Sequence, residues 1–372
     1  MLREVGGMGF FGQHVVSAST IEIHRASDDY REATRWRASP RTRRTVFVLT
    51  IVLIVVLVVS IIVSATPWAP ALLIRSVFEK GAQDTVAEME PYVPDIAFDE
   101  QTGIVYGDAG ADTSLDVIRP ADATAPLPVV VWIHGGAWIS GQSSNVVPYL
   151  KILAAEGYAG VALNYTLGPE AVYPTAVRQL NDALAYLTEH AAELGIDANR
   201  IVLAGDSAGA QLASQLAVLT TNPDYATLLG IKPSLEPSQL VGTILNCGVY
   251  DLNAMSDLNG IVGWGFKIAL WAYTGTKDWS VESPGTTMSS IDFVTADFPP
   301  TFISGGNGDG LTWIESVPMS DRMRDAGVDV TSLFWSADHE PALPHEYQFH
   351  LDYDEAHAAL AETLAFLKTV TS

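Results

Sequence analysis

The sequence predicts an α/β fold: a mostly parallel, doubly wound sheet with helices on both faces and a small helical cap, preceded by one N-terminal transmembrane helix. Three observations carry this. From residue 92 onward, short apolar runs alternate with longer helical patterns, as strands joined by crossover helices do. One run ends in Gly205-Asp206-Ser207-Ala208-Gly209, a glycine-flanked serine that opens an Ala/Leu-rich segment. Finally, Val46–Val63 holds 18 residues without a charge.

Taken in order, residues 1–45 form a basic arm with eight Lys and Arg against five Asp and Glu. The arm is polar and is expected to be disordered. With Ser64 and Ala65, the apolar run fills residues 46–65, close to the roughly 20 residues a helix needs to cross hydrocarbon. Arg35, Arg37, Arg41, Arg43 and Arg44 precede it, and no Lys or Arg follows until Arg75. Positive flanks stay cytoplasmic. The run therefore reads as a signal-anchor helix in the cell membrane, single-pass, with a cytoplasmic N-terminus and an extracytoplasmic body. The competing reading is a secreted protein cut near Ala65, since Val63-Ser64-Ala65 fits a small-x-small site, although the arm is long for a signal peptide.

Residues 66–91 are a juxtamembrane lead-in. Leu72, Leu73, Val77 and Phe78 recur there at near-helical spacing, which predicts an amphipathic helix over Trp68–Glu90. Residues 92–372 are the main domain. Ile104–Tyr106 and Ser114–Arg119 read as an antiparallel edge, and Val129–Ile133 as a central strand. Helix Pro148–Ala155 ends at Gly157, strand Ala159–Leu163 follows, and a long helix over Tyr173–Leu194 closes at Gly195. Strand Ile201–Ala204 leads into the Ser207 turn and a helix through Leu219. Cys247 follows the apolar run Val241–Leu245 as a small core residue. A cap insertion around 255–298 contains a helix over Trp264–Tyr273. Strand and loop Pro299–Leu311, strand Val328–Trp335 and helix Tyr353–Lys368 complete the chain.

A strand running sharply into a helix exposes a serine hydroxyl at the sheet's edge, and glycines relieve the crowding around such a turn. A serine so placed needs a base, a group orienting the base, and donors for a developing oxyanion. Strand Val129–Ile133 ends in His134-Gly135-Gly136-Ala137-Trp138. By analogy with H-G-G-G loops, its N–H groups from Gly135 to Ala137, with that of Ala208, form the oxyanion hole. His134 is read as bracing the loop. Asp309, just beyond a strand end, is the favoured acid over Asp338 and Asp297. His345, in a proline-led loop before the last helix, is the favoured base over His339, His350 and His357. Trp264 and Trp271 in the cap, with Trp138 and Tyr165 near the oxyanion loop, are candidates for the substrate pocket wall.

These motifs, in this order, resemble α/β-hydrolases of the hormone-sensitive-lipase and carboxylesterase type. Asn164-Tyr165-Thr166-Leu167-Gly168-Pro169-Glu170 is similar to the family's N-Y-R-L-A-P-E segment, and Leu343-Pro344-His345-Glu346-Tyr347-Gln348-Phe349 looks like the feruloyl-esterase-like branch. Thr166 and Gly168 depart from the commoner Arg and Ala, and Ala137 stands where many members have a third glycine. The resemblance runs from about Tyr92 to the C-terminus. It implies a catalytic triad of Ser207, Asp309 and His345 that cleaves small-molecule carboxylic esters through an acyl-enzyme, with no cofactor and no metal. A peptidase, amidase or acyltransferase on the same machinery is an alternative, as is a non-catalytic surface-binding protein of the same fold.

Composition sets further bounds. After residue 45 there are 12 Lys and Arg against 38 Asp and Glu. Such an acidic body repels nucleic acid and anionic lipid, so neither is an expected partner. The lipid bilayer, reached through residues 46–65, is the expected partner. The single cysteine excludes an internal disulfide.

Overall fold

A computed structural model describes residues 39–372. The basic arm therefore lies outside the described residues as far as residue 38. Two units are distinguished, 1–62 and 63–372.

Helix α1 (Pro40–Ala65) begins at a capped end, where the Ser39 hydroxyl accepts the Thr42 N–H at 3.1 Å. Ser39 and Pro40 are a favoured pairing of cap and first helical residue. None of its residues is buried, and it is long and apolar enough, by length and composition, to cross a membrane. Helix α2 (Trp68–Met89) follows after two residues. Pro70, Ala71 and Met89 are buried on its inner side. Arg75 pins it to the body: its guanidinium donates to both Glu170 carboxylate oxygens at 2.7 and 2.6 Å, to the Gly168 carbonyl at 2.7 Å and to the Ile139 carbonyl.

Eight strands form one sheet in the order β1-β2-β4-β3-β5-β6-β7-β8. They are β1 (Phe98–Val105), β2 (Ser114–Pro120), β3 (Leu127–Ile133), β4 (Ala159–Leu163), β5 (Ile196–Asp206), β6 (Leu240–Asn246), β7 (Thr301–Gly305) and β8 (Val330–Phe334). β2 runs antiparallel to both β1 and β4, and every other pairing is parallel. The central strands are continuous apolar runs because helices cover both faces. Helices α3 (Val147–Ala155) and α8 (Asp354–Val370) pack on one face with Trp132, Ile244 and Phe302. Helices α4 (Thr175–Glu189), α5 (Ala208–Thr221) and α7 (Val317–Asp325) pack on the other with Val131, Ile133 and Leu203. Full burial of each such side chain contributes roughly 1.5–3 kcal/mol. Helix α6 (Gly260–Thr274), in the cap, joins Ala71 and Ile74 of α2 in a third apolar cluster.

Three elements differ from the sequence expectation. β1 starts at Phe98, because Asp99, Glu100 and Gln101 pair with β2 at an exposed sheet edge where polar residues cost little. β5 reaches back to Ile196 through polar residues. The helix expected over Tyr173–Leu194 breaks at His190, whose ring stacks on Tyr186 and whose Nδ1 donates to the Tyr186 carbonyl at 2.9 Å.

The sheet positions the site through close approach at one glycine. A Cβ on Gly209 would be driven into the carbonyls of Ile133 and His134, the end of β3. Gly209→Ala should therefore cost about 3 kcal/mol of stability, read from unfolding of the full chain in detergent. Gly265→Ala, in α6 with open space around the position, should instead gain up to about 1 kcal/mol.

Candidate active site

β5 delivers Ser207 at a backbone conformation of φ 52°, ψ −120°, a region costly for a non-glycine residue. Parallel pairing with β6 and the Ser207 N–H donating to the Asn246 carbonyl at 2.8 Å hold it there. The hydroxyl projects to His345: Ser207 Oγ lies 2.9 Å from His345 Nε2. On the ring's other side Nδ1 lies 2.7 Å from Asp309 Oδ2. Asp309 is buried, and its Oδ1 also accepts the Leu311 N–H at 2.9 Å.

The two loops carrying the acid and the imidazole are stitched together. Asn307 donates to the His339 carbonyl at 2.8 Å and accepts the Leu343 N–H at 2.9 Å, and the Gly308 N–H donates to the Leu343 carbonyl at 2.9 Å. The rival histidines are engaged elsewhere. His339 pairs with Glu355 at 2.7 Å, His350 with Glu88, and His357 meets the edge of the Tyr92 ring.

The oxyanion loop sits beside the serine. Gly136 has φ 99° and Ala137 φ 51°. The N–H groups of Gly136, Ala137 and Ala208 have no acceptor among the described residues. Gly135 differs from the sequence expectation. Its N–H donates to Asp206 Oδ2 at 2.8 Å, so it is consumed in bracing the loop and is not available to an oxyanion. The other carboxylate oxygen of Asp206 accepts the Trp132 Nε1–H at 2.7 Å. His134 is buried, stacks on Tyr165 with centroids 4.5 Å apart, and its Nδ1 donates to the Gly135 carbonyl at 2.8 Å. Burial lowers its pKa to about 4, which leaves it neutral.

The electrostatics centre on three carboxylates. Burial alone would lower the His345 pKa, but the hydrogen bond and charge of Asp309, with Glu346 and Asp206 nearby, override it and raise it to about 9. Glu346, at φ 60°, sets its Oε1 3.7 Å from His345 Nε2. Burial and the Glu346 charge push Asp206 well above the usual carboxylate range. Asp206 and Glu346 were not singled out as acids from the sequence. A charged residue next to each of two motif residues is the only local signal they leave.

A cavity of about 370 Å³ contains Ser207, His345, Glu346 and the loop from His134 to Ala137, with Val77, Phe78, Val146, Phe266 and Phe349 as its apolar wall. None of the four pocket candidates lines it. Trp138 is buried against Tyr273 and donates to Gln211 Oε1 at 3.0 Å, and Tyr165 is buried on His134. Trp264 and Trp271 line a separate cavity of about 440 Å³. Helix α6 is apolar nearly all round, so its composition does not say which face turns inward; Phe266 takes the place expected of the tryptophans. Nothing in the sequence marks α2 as part of the wall.

The BD-FAE family pattern matches residues 115–321. Esterase LipQ of Mycobacterium tuberculosis is 29% identical over 63% of this chain and 55% of its own length, so the chain spans about half of that relative. Carboxylesterase NlhH of the same organism is 29% identical over 74% of this chain and 83% of its own. Among solved structures, esterase B from Lactobacillus rhamnosis superposes with a TM-score of 0.67 at 22% identity, covering 82% of this chain and 96% of its own. The last likeness establishes the α/β-hydrolase fold.

The proton affinity of the imidazole is directly measurable. By NMR, the His345 ring should titrate near 9, and Asp309→Asn should bring the midpoint down. A midpoint at or below the ordinary histidine value of about 6.5 would contradict the geometry.

Proposed function

We propose that this chain, which belongs to the BD-FAE family and to the hormone-sensitive-lipase and carboxylesterase type of α/β-hydrolase, hydrolyses carboxylic esters through an acyl-enzyme on Ser207. The observation that carries this is the unbroken line from Asp309 Oδ2 through the His345 ring to Ser207 Oγ, at 2.7 and 2.9 Å, beside three N–H groups with no acceptor among the described residues.

In this reading Ser207 attacks the ester carbonyl and His345 Nε2 takes its proton. Asp309 holds the tautomer that leaves Nε2 free to accept, and offsets the imidazolium charge. The N–H groups of Gly136, Ala137 and Ala208 donate to the oxyanion. They are held in place before reaction, so no reorganisation is needed as charge develops. His345 then returns the proton to the leaving alcohol and activates the water that frees the acid. The apolar wall of Val77, Phe78, Phe266 and Phe349 suits an apolar acyl chain. We assign residues 46–65 as a single-pass anchor that holds the enzyme on the extracytoplasmic side of the cell membrane, on the strength of the arginines before it and the apolar helix itself.

Ser207→Ala should cut kcat on p-nitrophenyl acetate by about 10⁴–10⁶-fold, with the fold intact by circular dichroism, and should abolish labelling by a fluorophosphonate probe. Retained turnover rules the assignment out. The base must be neutral to act, and its pKa is raised to about 9, so activity should climb as pH rises through that value. Glu346→Gln removes a negative charge that favours the imidazolium. The rising limb of kcat/KM should therefore shift to lower pH, whereas an unmoved limb would show that Glu346 does not act on the ring.

A further inference from the structure

Outside the hydrolytic cavity, two helices that pack on each other, α2 of the lead-in and α6 of the cap, both carry large exposed apolar side chains. Along α2, the outward side chains of the first half are Trp68, Leu72, Leu73 and Val77, with Leu73 and Val77 each 63% exposed. From Glu79 onward the same face carries Glu79, Lys80, Gln83 and Asp84. The helix thus changes from greasy to charged along its axis, not around it. Helix α6 packs on α2 and leaves Ile261 83% exposed, Val262 63% and Trp264 44%. Monomeric proteins seldom present such a surface without something to cover it.

The surroundings indicate what covers it. Val63 and Ser64, at the end of the apolar helix, share a cavity with Trp264, Lys267, Trp271 and Lys277 of the cap. The Lys277 ammonium lies 4.2 Å from the Trp271 ring centroid and donates to the Ser64 carbonyl. Tryptophans and lysines at the end of an apolar span are the composition of a lipid–water boundary, with the lysine stem in apolar surroundings and its head in water. These cations sit in a body that is otherwise strongly acidic. Arg75 fixes α2 to the body, so the helix is a rigid wall. Its Val77 and Phe78 face the same cavity as Phe266 of α6 and the Ser207 hydroxyl.

We propose that the first half of α2 and the start of α6 lie in the interface of the bilayer that the 46–65 anchor enters, and that the cavity draws lipid esters from that bilayer past Val77, Phe78 and Phe266. The substrate class is a long-chain acyl ester dissolved in the membrane. The proposal rests on the esterase reading of Ser207 and on the anchor reading of residues 46–65.

The test uses the full chain in phosphatidylcholine vesicles. One readout is quenching of tryptophan fluorescence by phosphatidylcholine brominated near the glycerol end of its chains. The other is turnover of a diacylglycerol held in the vesicle against p-nitrophenyl acetate in the water. The triple variant Leu73→Glu/Ile261→Glu/Val262→Glu stays anchored through residues 46–65, which vesicle flotation verifies. It should lose about half of the quenching and about tenfold of the diacylglycerol turnover, with acetate turnover within about twofold, because interfacial binding scales with buried apolar area. Unchanged quenching with unchanged diacylglycerol turnover overturns the proposal. Should both esters fall together, the milder Leu72→Gln/Val262→Gln decides: an equal loss on both again overturns it, and a selective loss on diacylglycerol upholds it. If the wild type cleaves neither ester, the esterase reading fails, while quenching, and its reduction in Trp264→Phe, still decides the docking.

Discussion

One buried carboxylate ties the candidate site together. Asp206 ends β5 and is the residue before the serine, yet its two oxygens are spent on the end of β3, one on the Trp132 indole and one on the Gly135 N–H. The turn at Ser207 and the loop at Gly135 therefore cannot move apart without breaking both bonds. Gly209 reinforces the junction by letting the first turn of α5 pack against the carbonyls that end β3. An acid in so apolar a place is driven towards its protonated form, and Glu346 drives it further. The same Glu346 favours a proton on His345, so the ionisations of the structural carboxylate and of the imidazole beside Ser207 share one charge.

The second half of the site obeys a different constraint. Asp309 and His345 ride on loops, which would be poorly placed if left to themselves. Asn307 supplies the rigidity by bonding to both the His339 carbonyl and the Leu343 N–H. A few hydrogen bonds between the loops thus do what strand pairing does for Ser207. Oriented groups held ready in this way account for most of what a hydrolase needs, since the chemistry develops charge at fixed positions.

Much of this was legible in the chain because it is local. β3, β4, the turn at Ser207 and the break at Gly195 each declare themselves within a short window of apolar run and glycine. The order of motifs points to Ser207, Asp309 and His345 as the candidate nucleophile, acid and base. Where the sequence expectation fails, the reason lies in neighbours far along the chain. Gly135 looks like an oxyanion donor until Asp206, 71 residues later, takes its N–H. Trp138 and Tyr165 look like pocket walls until Tyr273 and His134 stack on them. Trp264 and Trp271 lie on an almost wholly apolar helix, whose rotation is set by its packing against α2 and by Leu270 and Tyr273 in the main core.

The linear pattern is thus sufficient for the class of fold, the candidate nucleophile with its candidate acid and base, and the long apolar N-terminal helix, since each is written in residue type and spacing. The identity of the cavity wall, the use of each N–H and the proton affinity of His345 came from folding alone. Burial, distance and charge are properties of pairs, and these pairs are separated by tens to hundreds of residues. The role of α2 shows the difference most clearly: its apolar spacing predicted a helix, but only the clamp of Arg75 on Glu170 and Gly168 made that helix a wall of the site.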